Sequence, residues 1–103
     1  MTKVAFITGA GGFLGKDNAV RLAKEGCRVA VFDINKEAVD SVVNEINFFG
    51  GKAIGFTGDI TNSKDVDLAV ENTVKEFKKL DIMLHVLRKL ATIRKSLVQI
   101  LHL

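Results

Sequence analysis

Apolar residues along the first four-fifths of the chain follow two alternating patterns. Short apolar runs, partly β-branched, are typical of strands that are buried on both faces. These runs cover residues 3–8, 27–33, 52–57 and 81–86. Between them the apolar positions step by three and four residues, as in Val39, Val42, Val43 and Ile46, which is the pattern of an amphipathic helix. Glycines at 26 and at 50–51 predict where the first two helices end.

The alternation of strands and helices predicts the fold. A third helix is expected to start at Asn62, with Asp65 three residues on, and to run to about Phe77. Strands separated by helices run parallel with right-handed crossovers, and the helices cover both faces of the sheet. We therefore predict an α/β fold, a half-length Rossmann-like doubly wound parallel sheet of strand order 3-2-1-4.

The loop between the first strand and the first helix is rich in glycine. Gly9, Gly12 and Gly15 recur every third residue, which is the spacing of a tight turn, a close approach to phosphate and a helix-to-strand contact. The unpaired N–H groups at a helix start attract anions. Asp33 ends the second strand 18 positions after Gly15, near the roughly 20 expected for a carboxylate that binds a ribose. Glycines also fill ordinary turns, but this context favours a dinucleotide site.

Three stretches, "TGAGGFLG" (8–15), "FD" (32–33) and "GDIT" (58–61), resemble the cofactor half of the short-chain dehydrogenase/reductase family. The resemblance covers residues 3 to about 84. In the family pattern TGxxxGxG, Phe13 occupies the middle glycine position, whereas in the TGxxGxxG pattern of the extended branch all three glycines match. The branch therefore stays open.

The resemblance also implies that Asp59 and Ile60 contact the adenine ring, although Asp59 is alternatively a turn residue ahead of the third helix. The expected cofactor-binding residues are Gly9, Gly12, Phe13, Leu14, Gly15, Asp33, Ile34, Asp59 and Ile60. No metal site is expected. Asp33 would repel a 2′-phosphate by about 1 to 4 kcal/mol at 4 Å, depending on the local dielectric. No arginine follows it, although Lys36 is near, so NAD is expected in preference to NADP.

The residues that the family uses for catalysis are missing. The resemblance implies a tyrosine with a lysine four residues along and a serine, but these 103 residues hold no tyrosine. A general acid must be present before its geometry matters. We interpret His85 and His102 as bystanders and expect no catalytic residue. The prediction is an NAD(H)-binding protein that is not catalytic alone; the alternatives are a non-binding structural or interaction remnant and an oxidoreductase active only with another chain.

The last residues differ in character from the rest. Residues 82–103 carry four basic side chains and no carboxylate, and their apolar residues predict an amphipathic helix from about residue 87. We interpret residues 1–84 as the dinucleotide-binding domain and 85–103 as a divergent basic tail, derived from a shifted reading frame or a truncated gene. The tail is a core helix, a helix that contributes to a dimer, or a contact for nucleic acid or membrane. We expect neither nucleic acid nor membrane as a partner.

The fourth strand is predicted to be an apolar edge, which invites pairing with another chain. A homodimer or higher oligomer is therefore expected, through that edge or through the tail helix. One cysteine excludes an internal disulfide, and the N-terminus has no apolar signal region. We expect a globular protein in the cytoplasm.

Overall fold

The computed structural model describes residues 2–85, apart from the Phe13 side chain, and the backbone of residues 97–100. Strands and helices alternate three times before the fourth strand, as the sequence predicts. The elements are β1 (Val4–Thr8), α1 (Phe13–Lys24), β2 (Arg28–Asp33), α2 (Lys36–Phe48), β3 (Lys52–Thr57), α3 (Ser63–Phe77), β4 (Ile82–His85) and β5 (Leu97–Ile100).

The strands form one sheet of order β3-β2-β1-β4-β5, in which the first four run parallel. The α/β fold and the predicted order 3-2-1-4 are confirmed. In the register of the sheet Thr8 lies beside Phe32 on one side and beside His85 on the other. The carboxyl ends of β2, β1 and β4 therefore lie level along one edge of the sheet.

The sheet is covered by helices on both faces, which explains the continuous apolar runs. Every residue of β1 is buried. Ile7 and Val31 pack with α1 and α2 on one face. Phe6 and Phe32 pack with α3 on the other face, and their ring centroids lie 5.9 Å apart. Adjacent strand residues point to opposite faces, so both apolar sets of β1 and β2 contribute to a core.

Asparagine side chains cap the N-termini of two helices. Asn35 accepts a hydrogen bond from the Ala38 N–H at 3.1 Å to cap α2. Asn62 caps α3 by accepting from the N–H groups of Lys64 and Asp65, so the predicted start of this helix is confirmed. The predicted ends of α1 and α2 are confirmed as well, since each helix stops just before the expected glycines. In the described residues no helix combines the length and the apolar character needed to cross a bilayer.

The prediction of a tail helix is wrong for residues 97–100. These residues form β5, which pairs antiparallel with β4, with Leu97 beside His85 and Ile100 beside Ile82. Short apolar runs fit a strand as well as a helix, and the free N–H and C=O groups along β4 offer partners that only a strand can use. The rest of the predicted helix, residues 87–96 and 101–103, lies outside the described residues.

The pairing with β5 also changes the prediction for β4. Because β5 lies along its outer side, β4 is not the edge that the sequence predicts. A second copy of the chain would have to displace β5 to pair with β4. Self-association, and the division of the chain at residue 84, stay predictions.

Candidate functional site

Three loops meet at the carboxyl edge of the sheet, and the predicted cofactor-binding residues lie in them or directly beside them, at the end of β2 and in the first turn of α1. The loop from β1 to α1 spans residues 9–12, the loop from β2 to α2 spans 34–35, and the loop from β3 to α3 spans 58–62. Hydrogen bonds tie them together: the Ala10 N–H donates to the Phe32 carbonyl at 3.2 Å, and the Gly58 N–H donates to the Asp33 carbonyl at 3.0 Å. The edge is therefore one connected surface.

The glycines let α1 start very close to the end of β1. Gly9 has a φ of 69°, a left-handed conformation that side chains disfavour. Gly15 faces it so closely that a Cβ atom at position 15 would lie 2.1 Å from the Gly9 carbonyl oxygen. These are the tight turn and the helix-to-strand contact that the spacing predicts. The contribution of both glycines to cofactor binding stays a prediction.

The start of α1 leaves hydrogen-bond donors open. Within the described part of the chain, no side chain caps this helix and no acidic residue lies in its first turn. The N–H groups of Ala10 and Gly12 are bound within the protein, the second to the Gly9 carbonyl at 3.2 Å. The first intrahelical bond comes from the Lys16 N–H to the Gly12 carbonyl. The first-turn N–H groups, at positions 13–15, have no intrahelical acceptor, so they are the donors available to an anion.

Asp33 connects two of the three loops through its side chain. One carboxylate oxygen, Oδ2, accepts the Gly11 N–H at 3.0 Å, and the other, Oδ1, accepts the Asn35 N–H at 3.0 Å. The residue is only 5% exposed. A buried carboxylate needs such hydrogen bonds to offset its loss of hydration. The acid predicted to bind a ribose thus also holds the backbone of the site.

Asp59 lies in a tight turn ahead of α3. Its Oδ1 accepts from the Thr61 hydroxyl at 2.7 Å and from the Thr61 N–H at 2.9 Å. These two bonds, the hydroxyl first, lower the pKa of the Asp59 carboxyl from its ordinary value. The Asp65 carboxylate accepts the Asp59 N–H at 3.0 Å and so holds the turn against the helix.

Two large apolar side chains are exposed beside these acids. Ile34 directly follows Asp33 and is 65% exposed, and Ile60 directly follows Asp59 and is 45% exposed. Each lies just beyond the carboxyl end of a strand, where the sheet offers apolar surface to a bound molecule. Such apolar surface suits the flat base of a nucleotide, whereas the open N–H groups of α1 suit the phosphates of a nucleotide.

Residues 3–87 match the family model described as short chain dehydrogenase. The chain belongs to the short chain dehydrogenase family. It is 45% identical over 80 residues to a cyclohexanol dehydrogenase of Acinetobacter sp. (strain SE19), an alignment that covers 78% of this chain and 32% of that protein. The resemblance stated from the motifs is confirmed.

Solved short chain dehydrogenases share the fold of this chain. A 3-ketoacyl-(acyl-carrier-protein) reductase from Brucella melitensis complexed with NADH superposes with a TM-score of 0.73 at 42% identity, over 79% of this chain and 32% of that one. An NAD⁺-bound xylitol dehydrogenase superposes with a TM-score of 0.74 at 37% identity, over 77% of this chain and 30% of that one. The chain thus spans about a third of the length of these relatives.

Within the family fold, His85 has a structural partner that the sequence did not reveal. Its Nδ1 atom and the Thr8 Oγ1 atom are hydrogen-bonded at 3.1 Å, between the carboxyl ends of β4 and β1. Burial lowers the pKa of His85 because it disfavours the charged ring. The Thr8 side chain is fully enclosed. The ring thus helps to join two strands, and the interpretation of His85 as a bystander to catalysis stays a prediction.

Sequence reasoning also missed Gly11. A Cβ atom there would lie 2.6 Å from the Ala38 Cβ and 3.0 Å from the Asp33 Cγ, so this glycine allows the loop to reach the carboxylate. The signal was the adjacent pair Gly11–Gly12, of which only the second fits the every-third spacing. The side chain of Phe13, the residue at the middle glycine position of the TGxxxGxG pattern, lies outside the described residues.

The described residues fit a dinucleotide of the kind bound by the solved relatives. The first turn of α1 has open N–H groups that suit phosphates, and one strand away lies a carboxylate that suits a ribose. Residues 2–85 contain no group of three or more histidine, cysteine, aspartate or glutamate side chains placed to hold a metal ion.

Proposed function

We propose that this chain binds NAD(H) through the adenosine and pyrophosphate half of the cofactor. The observation that carries the proposal is the open start of α1, which has N–H donors but neither a side-chain cap nor an acidic residue in its first turn among the described residues. Such a helix start attracts phosphate through its unpaired N–H groups and its dipole. Membership of the short chain dehydrogenase family supports this assignment of the site.

Each part of the nucleotide has a partner in this proposal. The first turn of α1 binds the pyrophosphate, and Gly9, Gly12 and Gly15 allow it to approach. Asp33 accepts hydrogen bonds from the ribose, since each carboxylate oxygen has a second lone pair beyond the one used by the backbone. Asp59 and Ile60, together with Ile34 just after the end of β2, border the adenine. The cofactor supplies hydride transfer at its nicotinamide ring when it is bound.

A preference for NAD over NADP follows from Asp33. A 2′-phosphate at the ribose position would lie beside this carboxylate, which is held in place by two backbone N–H groups. The repulsion is about 1 to 4 kcal/mol at 4 Å. Because the carboxylate is fixed at both oxygens, it cannot turn away to relieve that repulsion.

Hydride transfer requires groups that these 103 residues do not supply. They contain no tyrosine to deliver or accept a proton, and the relatives are about three times as long. We propose that the proton donor and the nicotinamide pocket come from polypeptide outside these residues. One rival is a scaffold that keeps the fold without binding nucleotide. The hydrogen bonds of Asp33 to Gly11 and Asn35 favour this rival, because they give the carboxylate a structural role without any ligand. A cytoplasmic location, inferred from the single cysteine, is part of the proposal.

Calorimetric titration tests the proposal directly. We expect NAD and ADP to bind with similar affinity, because both contain the adenosine and pyrophosphate half, and nicotinamide mononucleotide to bind at least tenfold more weakly. NADP should bind at least fivefold more weakly than NAD. No binding of NAD or ADP at millimolar concentration would favour the scaffold. Turnover of alcohols with NAD by the purified chain would overturn the need for other polypeptide.

A further inference from the structure

The glycine loop and the α2 start interlock around the side chain of Asp33. The carboxylate accepts one N–H from the glycine loop, at Gly11, and one from the residue that caps α2, Asn35. The Asn35 side chain in turn accepts the Ala38 N–H, and Ala38 is the residue that a side chain at position 11 would strike. Gly11 of the glycine loop therefore shares one small volume with three residues from the end of β2 to the first turn of α2.

The position of the Asp33 carboxylate does not depend on an ion pair within the described residues. Among the described residues the ion pairs join other groups, and none involves Asp33. Its carboxylate is held by backbone N–H groups, and hydrogen bonds to a charged acceptor are about twice as strong as neutral ones. The interaction that fixes the Asp33 side chain is thus also an interaction that fixes the Gly11 amide.

The direction of the Gly11 amide matters for the site. With Gly11 bound to Asp33, and with Ala10 and Gly12 bound to Phe32 and Gly9, the three loop amides all point into the protein. Only the first-turn amides of α1 remain open. If Gly11 were released, its amide would be free to turn and the loop would lose its fixed position against the end of β2.

We infer that Asp33 is a positioning residue for the phosphate-binding turn, in addition to its proposed contact with the ribose. Its carboxylate holds the Gly11 amide, and thereby sets where α1 presents its open amides to a phosphate. This inference rests on the proposed function. It gives the Asp33 side chain two contributions: a direct contact that affects binding of the ribose, and a positioning effect that affects binding of the phosphates.

Ligands that lack the ribose hydroxyls distinguish the two contributions. The probes are ADP, 2′,3′-dideoxy-ADP and inorganic pyrophosphate, titrated into the full chain and into the variant Asp33→Asn. Asparagine has a single accepting oxygen and its NH₂ group cannot accept a backbone N–H, so the variant keeps at most one of the two hydrogen bonds and loses the charge that strengthens it. We expect the variant to bind pyrophosphate and 2′,3′-dideoxy-ADP about tenfold more weakly, as loss of one hydrogen bond to a charged group implies, and ADP more weakly still because its ribose contact changes as well.

A role limited to the ribose predicts a different result. Asp33→Asn would then weaken ADP alone, and pyrophosphate would bind as well as before or more tightly, because a negative charge near the anion is removed. That outcome overturns the inference and leaves the proposed function intact. Failure of the unaltered chain to bind any of the probes would overturn the proposed function and the inference with it.

Two controls distinguish displacement of the glycine loop from unfolding of the variant. Asp81→Asn is the matched control, because the Asp81 carboxylate also accepts a backbone N–H, that of Val4 at 2.9 Å, but lies at the other end of β1; it should leave pyrophosphate affinity within twofold. Amide hydrogen exchange of Gly11, measured well below the melting temperature of each variant, should be slow in the unaltered chain and in Asp81→Asn but fast in Asp33→Asn. Slow exchange in Asp33→Asn would contradict the inference.

Discussion

The start of α1 differs from the starts of α2 and α3, although all three helices begin at the same edge of one sheet. Asn35 and Asn62 cap the later helices, and each of those helices has an acidic residue in its first turn. The first helix has Gly12 at its N-cap position and has neither feature within the described residues. A cap and an acid both stabilise a helix start, so α1 forgoes stabilisation that the other two helices obtain.

The contrast shows where the fold leaves binding capacity unused. A capped helix has its donors satisfied and its dipole offset by its own side chains, so it offers little to an external anion. The uncapped start of α1, beside the carboxyl end of β2, offers an anion both free N–H donors and the positive end of the helix dipole. The difference between the helix starts, rather than the glycine spacing by itself, gives the site its physical basis. Four changes test or sharpen it.

The largest effect is expected from Gly15→Ala. The new Cβ atom would lie 2.1 Å from the Gly9 carbonyl oxygen, so α1 would have to move away from β1. We expect the free energy of unfolding to fall by about 3 kcal/mol, as overpacking a close contact implies. Urea unfolding measures it. Gly12→Ala is the control, because Gly12 has an ordinary φ of −80°; equal losses in the two variants would contradict the close contact.

The variant Gly12→Asp makes α1 resemble the other helices. A carboxylate at the N-cap should bind the open N–H groups and stabilise the chain by about 0.5 kcal/mol. It should also weaken ADP binding by about 100-fold, through charge repulsion and competition for the donors. Calorimetry and thermal melting give the two quantities. Gly12→Asn caps without charge and should lose only about tenfold; unchanged ADP affinity in Gly12→Asp would place the phosphate elsewhere.

Removing a cap from α3 should affect stability alone. Asn62→Ala deletes the acceptor for the Lys64 and Asp65 N–H groups, and the free energy of unfolding should fall by about 1 kcal/mol. The affinity for ADP should stay within twofold, since this cap serves its own helix. Asn62→Asp keeps an acceptor and should lose little stability. A tenfold loss of ADP affinity in Asn62→Ala would show that the α3 start belongs to the phosphate site.

The smallest effect concerns the turn ahead of α3. Thr61→Val removes the hydroxyl that chiefly lowers the pKa of Asp59, so that pKa should rise toward its ordinary value of 3.8. A lowered pKa in the folded state contributes stability above the unfolded pKa, and this is lost as the pH falls through the folded pKa.

The unaltered chain should therefore lose more stability between pH 5 and pH 3 than Thr61→Val loses. Titration of the Asp59 carboxyl by NMR and urea unfolding at both pH values measure the two effects. Thr57→Val, a similar replacement on the neighbouring strand, should leave both unchanged. An Asp59 pKa that is insensitive to Thr61→Val would show that the hydroxyl does not hold this turn.

Local patterns were sufficient to predict most of the fold. The strands are buried on both faces, so their residues are apolar without a break, and the glycines at 26 and 50 lie where the first two helices end. Asn62 marks a helix start because its side chain acts within three residues. The carboxyl ends of the strands then follow from the parallel order, and with them the location of the candidate site.

Contacts between distant residues were not predictable in the same way. The bond from Gly11 to Asp33 spans 22 positions and depends on how two loops meet, and the bond from Thr8 to His85 spans 77. Residues 97–100 were assigned to a helix because their apolar spacing fits one, whereas pairing with β4 depends on an edge that exists only in the folded sheet. Such features need the sheet register, which no local pattern specifies.

The shared volume of Gly11, Asp33 and Ala38 has a consequence for how relatives of this chain can diverge. A larger residue at position 11 would strike Ala38, and a neutral residue at position 33 would release the loop. These three positions are therefore expected to covary rather than to drift one at a time. Engineering that replaces Asp33 alone to admit NADP would trade coenzyme selectivity against the order of the phosphate-binding turn, and a compensating change at position 11 or 38 would have to accompany it.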